Sequence, residues 1–255
     1  MMQFNRAVLF AAFLACAGLA PVPADDVKSA LPSAESILGK YVEATGGRAA
    51  YEKIHTTMST GTFELPAAGL KGAIKIYNQE PDKSYSVVEL AGIGKIEEGC
   101  DGTTAWQLSA LQGARIKSGS ERAMALRASS MKTRLDWHQN FKSIETVGSD
   151  TVDGKPVYVV LLTPKEGKPE KEFYDKASGL LLKESMIMAT PMGEIPTEST
   201  FSDYRSESGL VIPHRLGQSA VGQQFAIVID SFTINNGVPK DRFELPPQIK
   251  ALVQK

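Results

Sequence analysis

Residues 70–77 have the sequence LKGAIKIY, in which positions 70, 72, 74 and 76 alternate with Lys71, Ala73, Lys75 and Tyr77. A period of two is typical of a β-strand that buries one face. Strand-like segments recur from Thr56 to the end of the chain, and Asp-Gly pairs follow positions 100 and 152. Asp-Gly favours two-residue hairpins, so consecutive strands should pair antiparallel. We therefore predict a mainly β (α+β) fold, a single curved antiparallel sheet or unclosed β-barrel of about eleven strands with a helical lid.

Two segments have helical character instead. Ser33 is placed to cap a helix from Ala34 to about Thr45, and Gly46 and Gly47 should end it. Ser120 is predicted to begin a second helix that reaches Phe141 or Lys142. Its apolar stripe consists of Met124, Ala128, Met131 and Leu135. We expect this second helix to lie inside the curved sheet or across its mouth.

The N-terminus has the pattern of an export signal. Residues 1–6 carry one positive charge, and residues 7–20 form an apolar and small run of 14 residues. Small residues follow at Val22 and Ala24, which predicts cleavage after Ala24 and a periplasmic location. We therefore predict a signal peptide over 1–24 and a single domain over 25–255. Cys16 leaves an alternative open, because acylation there would anchor the chain to lipid.

Composition and motifs exclude several functions. The chain has 28 Lys and Arg against 29 Asp and Glu, so it lacks the basic footprint of a nucleic-acid-binding protein. Two Cys and three scattered His give no metal-ligand spacing, and no nucleophile elbow or phosphate loop is present. The charged segment around Glu170 and Glu172 has the pattern of a solvated edge. We therefore expect no catalytic residues, no metal and no cofactor.

The remaining feature is a set of large apolar side chains on predicted strands. A curved sheet whose concave face is incompletely filled encloses an apolar cavity. The candidate cavity residues are Phe63, Leu65, Trp106, Phe173, Leu180, Leu182, Met186 and Met188. Of these, positions 180, 182, 186 and 188 are predicted to share one strand face. The alternative is that all eight are core residues packed against the second helix.

Motifs in a fixed order resemble those of the LolA/LolB-like superfamily, exported bacterial proteins commonly described as outer-membrane lipoprotein-sorting proteins. They lie at residues 41–47, 61, 100–106, 173–180, 202–213, 235–237 and 243–246. The resemblance implies an unclosed antiparallel barrel with a helical lid around an apolar cavity. It also implies binding of acyl chains or lipidated partners without a catalytic residue.

These observations lead to one functional expectation and one alternative. The chain is expected to be a monomeric, non-enzymatic periplasmic binding protein that holds a lipid or the acyl chains of a lipoprotein, for carriage to or sensing at the outer membrane. The expected partners are a lipid or a lipidated protein, with an envelope membrane protein as a further candidate. The alternative is an envelope protein–protein interaction module with a filled core and no ligand.

Overall fold

The computed structural model describes residues 31–191 and 193–254. The predicted signal peptide over 1–24 and the acylation candidate Cys16 lie outside the described residues. No helix among the described residues is long and apolar enough to cross a membrane.

The described residues form four α-helices: α1 Ala34–Ala44, α2 Arg48–Tyr51, α3 Gly119–Ser129 and α4 Pro247–Val253. The prediction for α1 is confirmed, because Ser33 caps it by accepting a hydrogen bond from the Ser36 backbone N–H. The helix ends where Gly46 and Gly47 take φ angles of 132° and 80°, which β-carbons disfavour. Short 3₁₀ turns cover Pro66–Ala68 and Trp137–Gln139.

One sheet contains thirteen strands, all paired antiparallel, in the order β6-β5-β4-β3-β2-β1-β13-β12-β11-β10-β9-β8-β7. The strands are β1 Thr56–Leu65, β2 Leu70–Gln79, β3 Lys83–Leu90, β4 Gly94–Cys100, β5 Ala105–Ser109, β6 Gly113–Ile116, β7 Phe141–Val152, β8 Lys155–Pro164, β9 Glu170–Asp175, β10 Leu181–Thr190, β11 Gly193–Glu207, β12 Leu210–Ala220 and β13 Gln223–Ile234. The predicted antiparallel, unclosed sheet is confirmed. The estimate of about eleven strands omitted β6 and β7, which form the two edges.

The second helix is shorter than predicted, because α3 ends at Ser129 and not near Phe141. The Ser129 hydroxyl bonds back to the Ala125 carbonyl, and Ser130 is extended. The Met131 N–H then donates to the Pro81 carbonyl outside the helix. Tertiary hydrogen bonds thus replace the helical ones, and Phe141 begins β7 instead.

The two faces of the sheet are covered differently. We call the face on which α3 lies the inner face, and the opposite face the outer face. Helix α3 contacts β4, β5 and also β10, strands far apart in the sheet, so the sheet curves around it. Helix α1 packs on the inner face of β7–β10 through Ile37 and Leu38. On the outer face, the C-terminal residues Phe243 and Ile249 cover Trp106.

Candidate ligand-binding face

The inner face of β1 and β10–β13 is apolar and only partly covered. Strand register places its side chains in cross-strand rows, such as Phe201, Leu216, Ile227 and Phe63. The half-buried apolar residues of this surface are Phe63, Leu65, Met186, Met188, Ile195, Phe201, Leu216, Phe225 and Ile227. On the outer face of the same strands Glu198, Thr200 and Arg215 are exposed. The inner face of these strands is therefore the apolar one, and its side chains are exposed enough to contact another molecule.

A cavity of about 250 Å³ lies on this face at the end near α2. Its lining consists of Tyr51, Ile54, Thr57, Asn78, Ala128, Ser129, Met131, Lys132, Leu210, Ile212 and Phe232. The polar groups in the lining are paired: Asn78 donates to the Thr57 hydroxyl at 3.0 Å, and Lys132 contacts Glu80 at 2.5 Å. The side chains that remain available to contact a ligand in this cavity are therefore largely apolar.

A buried charged cluster adjoins the apolar surface on β9 and β10. It contains Glu170, Glu172 and Glu184, with Arg127 of α3 and Arg134 of the following segment. Arg127 pairs with Glu170 at 2.8 Å, and Arg134 pairs with Glu172 at 2.5 Å. The Glu172 side chain is 1% exposed and also accepts a hydrogen bond from the Tyr174 hydroxyl. These contacts attach α3 and the residues that follow it, up to Arg134, to the inner face.

Burial and neighbouring charges change the ionisation of this cluster. Desolvation, reinforced by the charges of Glu172 and Glu170, raises the pKa of Glu184 to about 8. Desolvation likewise raises the pKa of Glu170, although the charge of Arg127 opposes it. Burial lowers the pKa of the Arg134 guanidinium, but the charge and hydrogen bond of Glu172 act together with Tyr174 and Tyr41 to hold that pKa well above the usual range. Glu184 is therefore the carboxyl of the cluster that is mainly neutral near pH 7.

The acidic trio also has the composition of a cation site. One carboxylate oxygen from each of Glu170, Glu172 and Glu184 lies within 4.8 Å of the others. Hard divalent cations prefer such oxygens. However, two of the three carboxylates are already paired with Arg127 and Arg134, and two extra positive charges oppose a divalent ion.

The structure brings half of the predicted cavity residues to the inner face. Phe63 and Leu65 lie there beside Phe225, with the Phe63 and Phe225 ring centroids 5.4 Å apart. Met186 and Met188 lie on the same face of β10 as Glu184. None of these four lines the 250 Å³ cavity itself.

The predicted common face for positions 180, 182, 186 and 188 is wrong. Leu181 pairs with Tyr174 and Lys183 with Phe173, so β10 has a bulge at Leu182 that shifts the alternation. Leu182 and Phe173 therefore pack together on the outer face, against Val157 and Val159. Leu180 is half-buried in the turn before β10.

Trp106 lies on the outer face and not on the predicted concave one. It is 2% exposed, packed with Tyr77 and Tyr85 beneath Phe243 and Ile249. Gly99 opposite makes this possible, since a β-carbon there would lie 2.5 Å from the Trp106 ring. Trp106 is thus part of a filled core that the C-terminal segment closes.

Sequence reasoning missed the charged cluster. The segment around Glu170 and Glu172 was expected to be a solvated edge, yet the two residues are 5% and 1% exposed. The available signal was their i, i+2 spacing, which places both on one face of a strand. Their partners Arg127 and Arg134 are distant in sequence, and no local pattern pairs them with β9.

Comparison with known proteins supports the fold. No protein-family profile and no curated protein sequence matches the chain. Solved structures do match, among them three with similar backbones over most of both chains. A domain assigned to an outer membrane lipoprotein-sorting protein from Vibrio parahaemolyticus has a TM-score of 0.56 and 13% identity, covering 87% of this chain and 98% of that one. A LolA superfamily protein from Nitrosomonas europaea has a TM-score of 0.57 and 14% identity, covering 84% and 99%.

A DUF1329 family protein from Desulfovibrio piger is also similar, with a TM-score of 0.56, 17% identity, and coverage of 82% of this chain and 96% of that one. At these identities the likeness is one of fold. The chain therefore has a LolA-like fold, as the ordered motifs indicated, and the likeness does not extend to a ligand.

Proposed function

We propose that this chain is a non-enzymatic periplasmic binding protein that holds a lipid, or the acyl chains of a lipoprotein, against its inner face. The proposed role is carriage to, or sensing at, the outer membrane. The observation that carries the proposal is the half-buried apolar surface of β1 and β10–β13, close to the 250 Å³ cavity. The fold it shares with a lipoprotein-sorting domain agrees with this role.

Burial of an acyl chain supplies enough free energy for such binding. Each buried methylene contributes about 0.8 kcal/mol, so ten contribute about 8 kcal/mol. Before the cost of immobilising the chain, this corresponds to a dissociation constant of about 1 μM. A carrier needs affinity in this range, because it must also release its guest.

The proposal includes the expected processing of the chain. We propose that residues 1–24 direct export and are removed, and that residues 25–255 act as a single, monomeric lipid-binding domain. Acylation at Cys16 is the other arrangement and would tether the same domain to a membrane.

The first experiment is native mass spectrometry of the mature protein purified from the periplasm, followed by organic extraction. A bound phospholipid, fatty acid or lipidated peptide supports the proposal and identifies the ligand class. A clean apo mass that persists after incubation with lipid vesicles supports the alternative, an envelope interaction module whose core is filled.

A matched pair of variants tests the location. Phe225→Asp puts a charge on the inner face, whereas Val221→Asp puts one on an exposed turn between β12 and β13. We expect Phe225→Asp to weaken binding of a fluorescent fatty acid by about tenfold or more, since it removes an apolar contact worth about 1.5 to 3 kcal/mol. Val221→Asp should bind like the parent. Equal affinity in both variants would place the ligand elsewhere.

A further inference from the structure

The charged cluster on the inner face is one positive charge short whenever Glu184 is ionised. Three carboxyl groups meet there, and two guanidinium groups pair with two of them. Glu184 is the third, and no hydrogen bond or ion pair to it is found among the described residues. A half-buried carboxyl group without a partner is costly unless it stays neutral or finds a cation.

Glu184 also lies where the polar cluster meets the apolar surface. Strand register places it in one cross-strand row with Ser199, Gln218 and Phe225. Along its own strand, the next residue on the same face is Met186. A molecule whose polar end contacts Glu184 can therefore lay an apolar chain on neighbouring side chains.

We propose that Glu184 binds the polar end of an amphiphile that carries a primary ammonium group, while the alkyl chain of the amphiphile lies on the inner face beside Met186 and Phe225. This inference rests on the proposed function and specifies its ligand class.

The charge count selects an ammonium over other polar ends. Once Glu184 releases its proton, one ammonium adds the single positive charge that the cluster then lacks. Its three N–H donors suit three carboxyl groups whose oxygens lie within 4.8 Å of one another. A divalent metal ion would add two charges beside Arg127 and Arg134. A carboxylate or phosphate end would be repelled by the glutamates. Lys132 in the cavity does not offset this repulsion, because it is already paired with Glu80.

The test uses the full mature protein and three dodecyl probes below their micelle concentrations, titrated calorimetrically. The probes are dodecylammonium chloride, sodium dodecanoate and dodecyltrimethylammonium chloride, which has the charge but no N–H donor. We expect dodecylammonium to bind about 10- to 100-fold more tightly than either of the others, the range of a hydrogen bond to a charged group. In Glu184→Gln this preference should disappear while dodecanoate affinity is retained.

The control is Glu198→Gln, which removes an exposed carboxylate on the outer face of the neighbouring strand β11. It should leave the preference for ammonium intact. Equal binding of the three probes by the parent protein, or a preference that survives Glu184→Gln, overturns the inference and leaves the proposed function standing. Binding of Mn²⁺ alone with release of bound dodecylammonium assigns the carboxyl groups to a metal and also overturns it. Failure of all three probes to bind counts against the proposed function itself.

Discussion

Replacement of Glu184 by Gln should stabilise the protein, and increasingly so as the pH rises. The pKa of Glu184 is raised from 4.5 to about 8, first by burial and then by the charges of Glu172 and Glu170. Between these two values the native chain keeps a proton that the unfolded chain has released. Folding then takes up a proton, so the free energy of unfolding falls as the pH rises through this interval. Gln has a similar shape and does not titrate.

The magnitude follows from the size of the shift. One pKa unit corresponds to 1.36 kcal/mol, so a shift from 4.5 to about 8 corresponds to about 5 kcal/mol in total. The stability difference between Glu184→Gln and the parent should therefore increase by about 4 kcal/mol between pH 5 and pH 8. At pH 5 the two proteins should differ by less than about 1 kcal/mol, because this pH is only slightly above the unfolded pKa of 4.5 and most of the loss of stability occurs at higher pH.

The assay is urea unfolding of both proteins at pH 5, 6.5 and 8, followed by circular dichroism, with Glu198→Gln as the control for loss of an exposed carboxylate. A difference that stays constant over this range would refute the reasoning. So would a Glu184→Gln protein that is less stable than the parent at pH 8, since Glu184 would then be ionised and favourably solvated in the native state.

Three further changes separate structural from binding roles. Trp106→Ala should lower the free energy of unfolding by about 3 to 5 kcal/mol, because it opens a cavity in the closed outer core; a folded, fully stable variant with weaker lipid binding would contradict its placement. Arg134→Ala should cost about 3 to 5 kcal/mol by leaving Glu172 buried and unpaired, and adding Glu172→Gln should recover much of it; urea unfolding of both variants measures this. Ser33→Ala should cost about 1 kcal/mol through loss of the α1 cap, measured as a lower melting temperature.

The features that could be predicted from sequence are those set by local chemistry. Helix α1 is fixed by a capping serine at one end and two glycines at the other. The antiparallel sheet follows from alternating side chains and hairpin turns, which act over a few residues. The length of α3 could not be predicted in this way, because its end depends on hydrogen bonds of Ser129 with Ser84 and of Met131 with Pro81, which lie 45 and 50 residues earlier. A helical stripe that continues past Ser129 carries no information about those partners.

The candidate site shows the same division more sharply. Alternation correctly placed Met186 and Met188 together, but one bulge at Leu182 moved that residue to the other face. A bulge of one residue is not visible in the hydrophobic pattern of the sequence. It nevertheless moves every side chain before it in the strand to the opposite face of the sheet. The cluster of Glu170, Glu172 and Glu184 could not be predicted from sequence for another reason. Charged residues are usually exposed to solvent unless they are paired, and the arginines that pair with this cluster come from α3 and the residues after it.

The two faces of this sheet explain why the number of large apolar residues in the sequence did not reveal the candidate binding surface by itself. On the outer face, the aromatic rings around Trp106 are closed by the C-terminal segment, and Arg242 stacks on Tyr77 and Tyr85. That apolar area stabilises the fold and is not available to a guest. On the inner face, α3 is attached at the charged cluster and leaves Phe225 and its neighbours half-buried. Affinity for an acyl chain should therefore depend on inner-face substitutions alone, whereas substitutions of equal hydrophobicity on the outer face should change only stability.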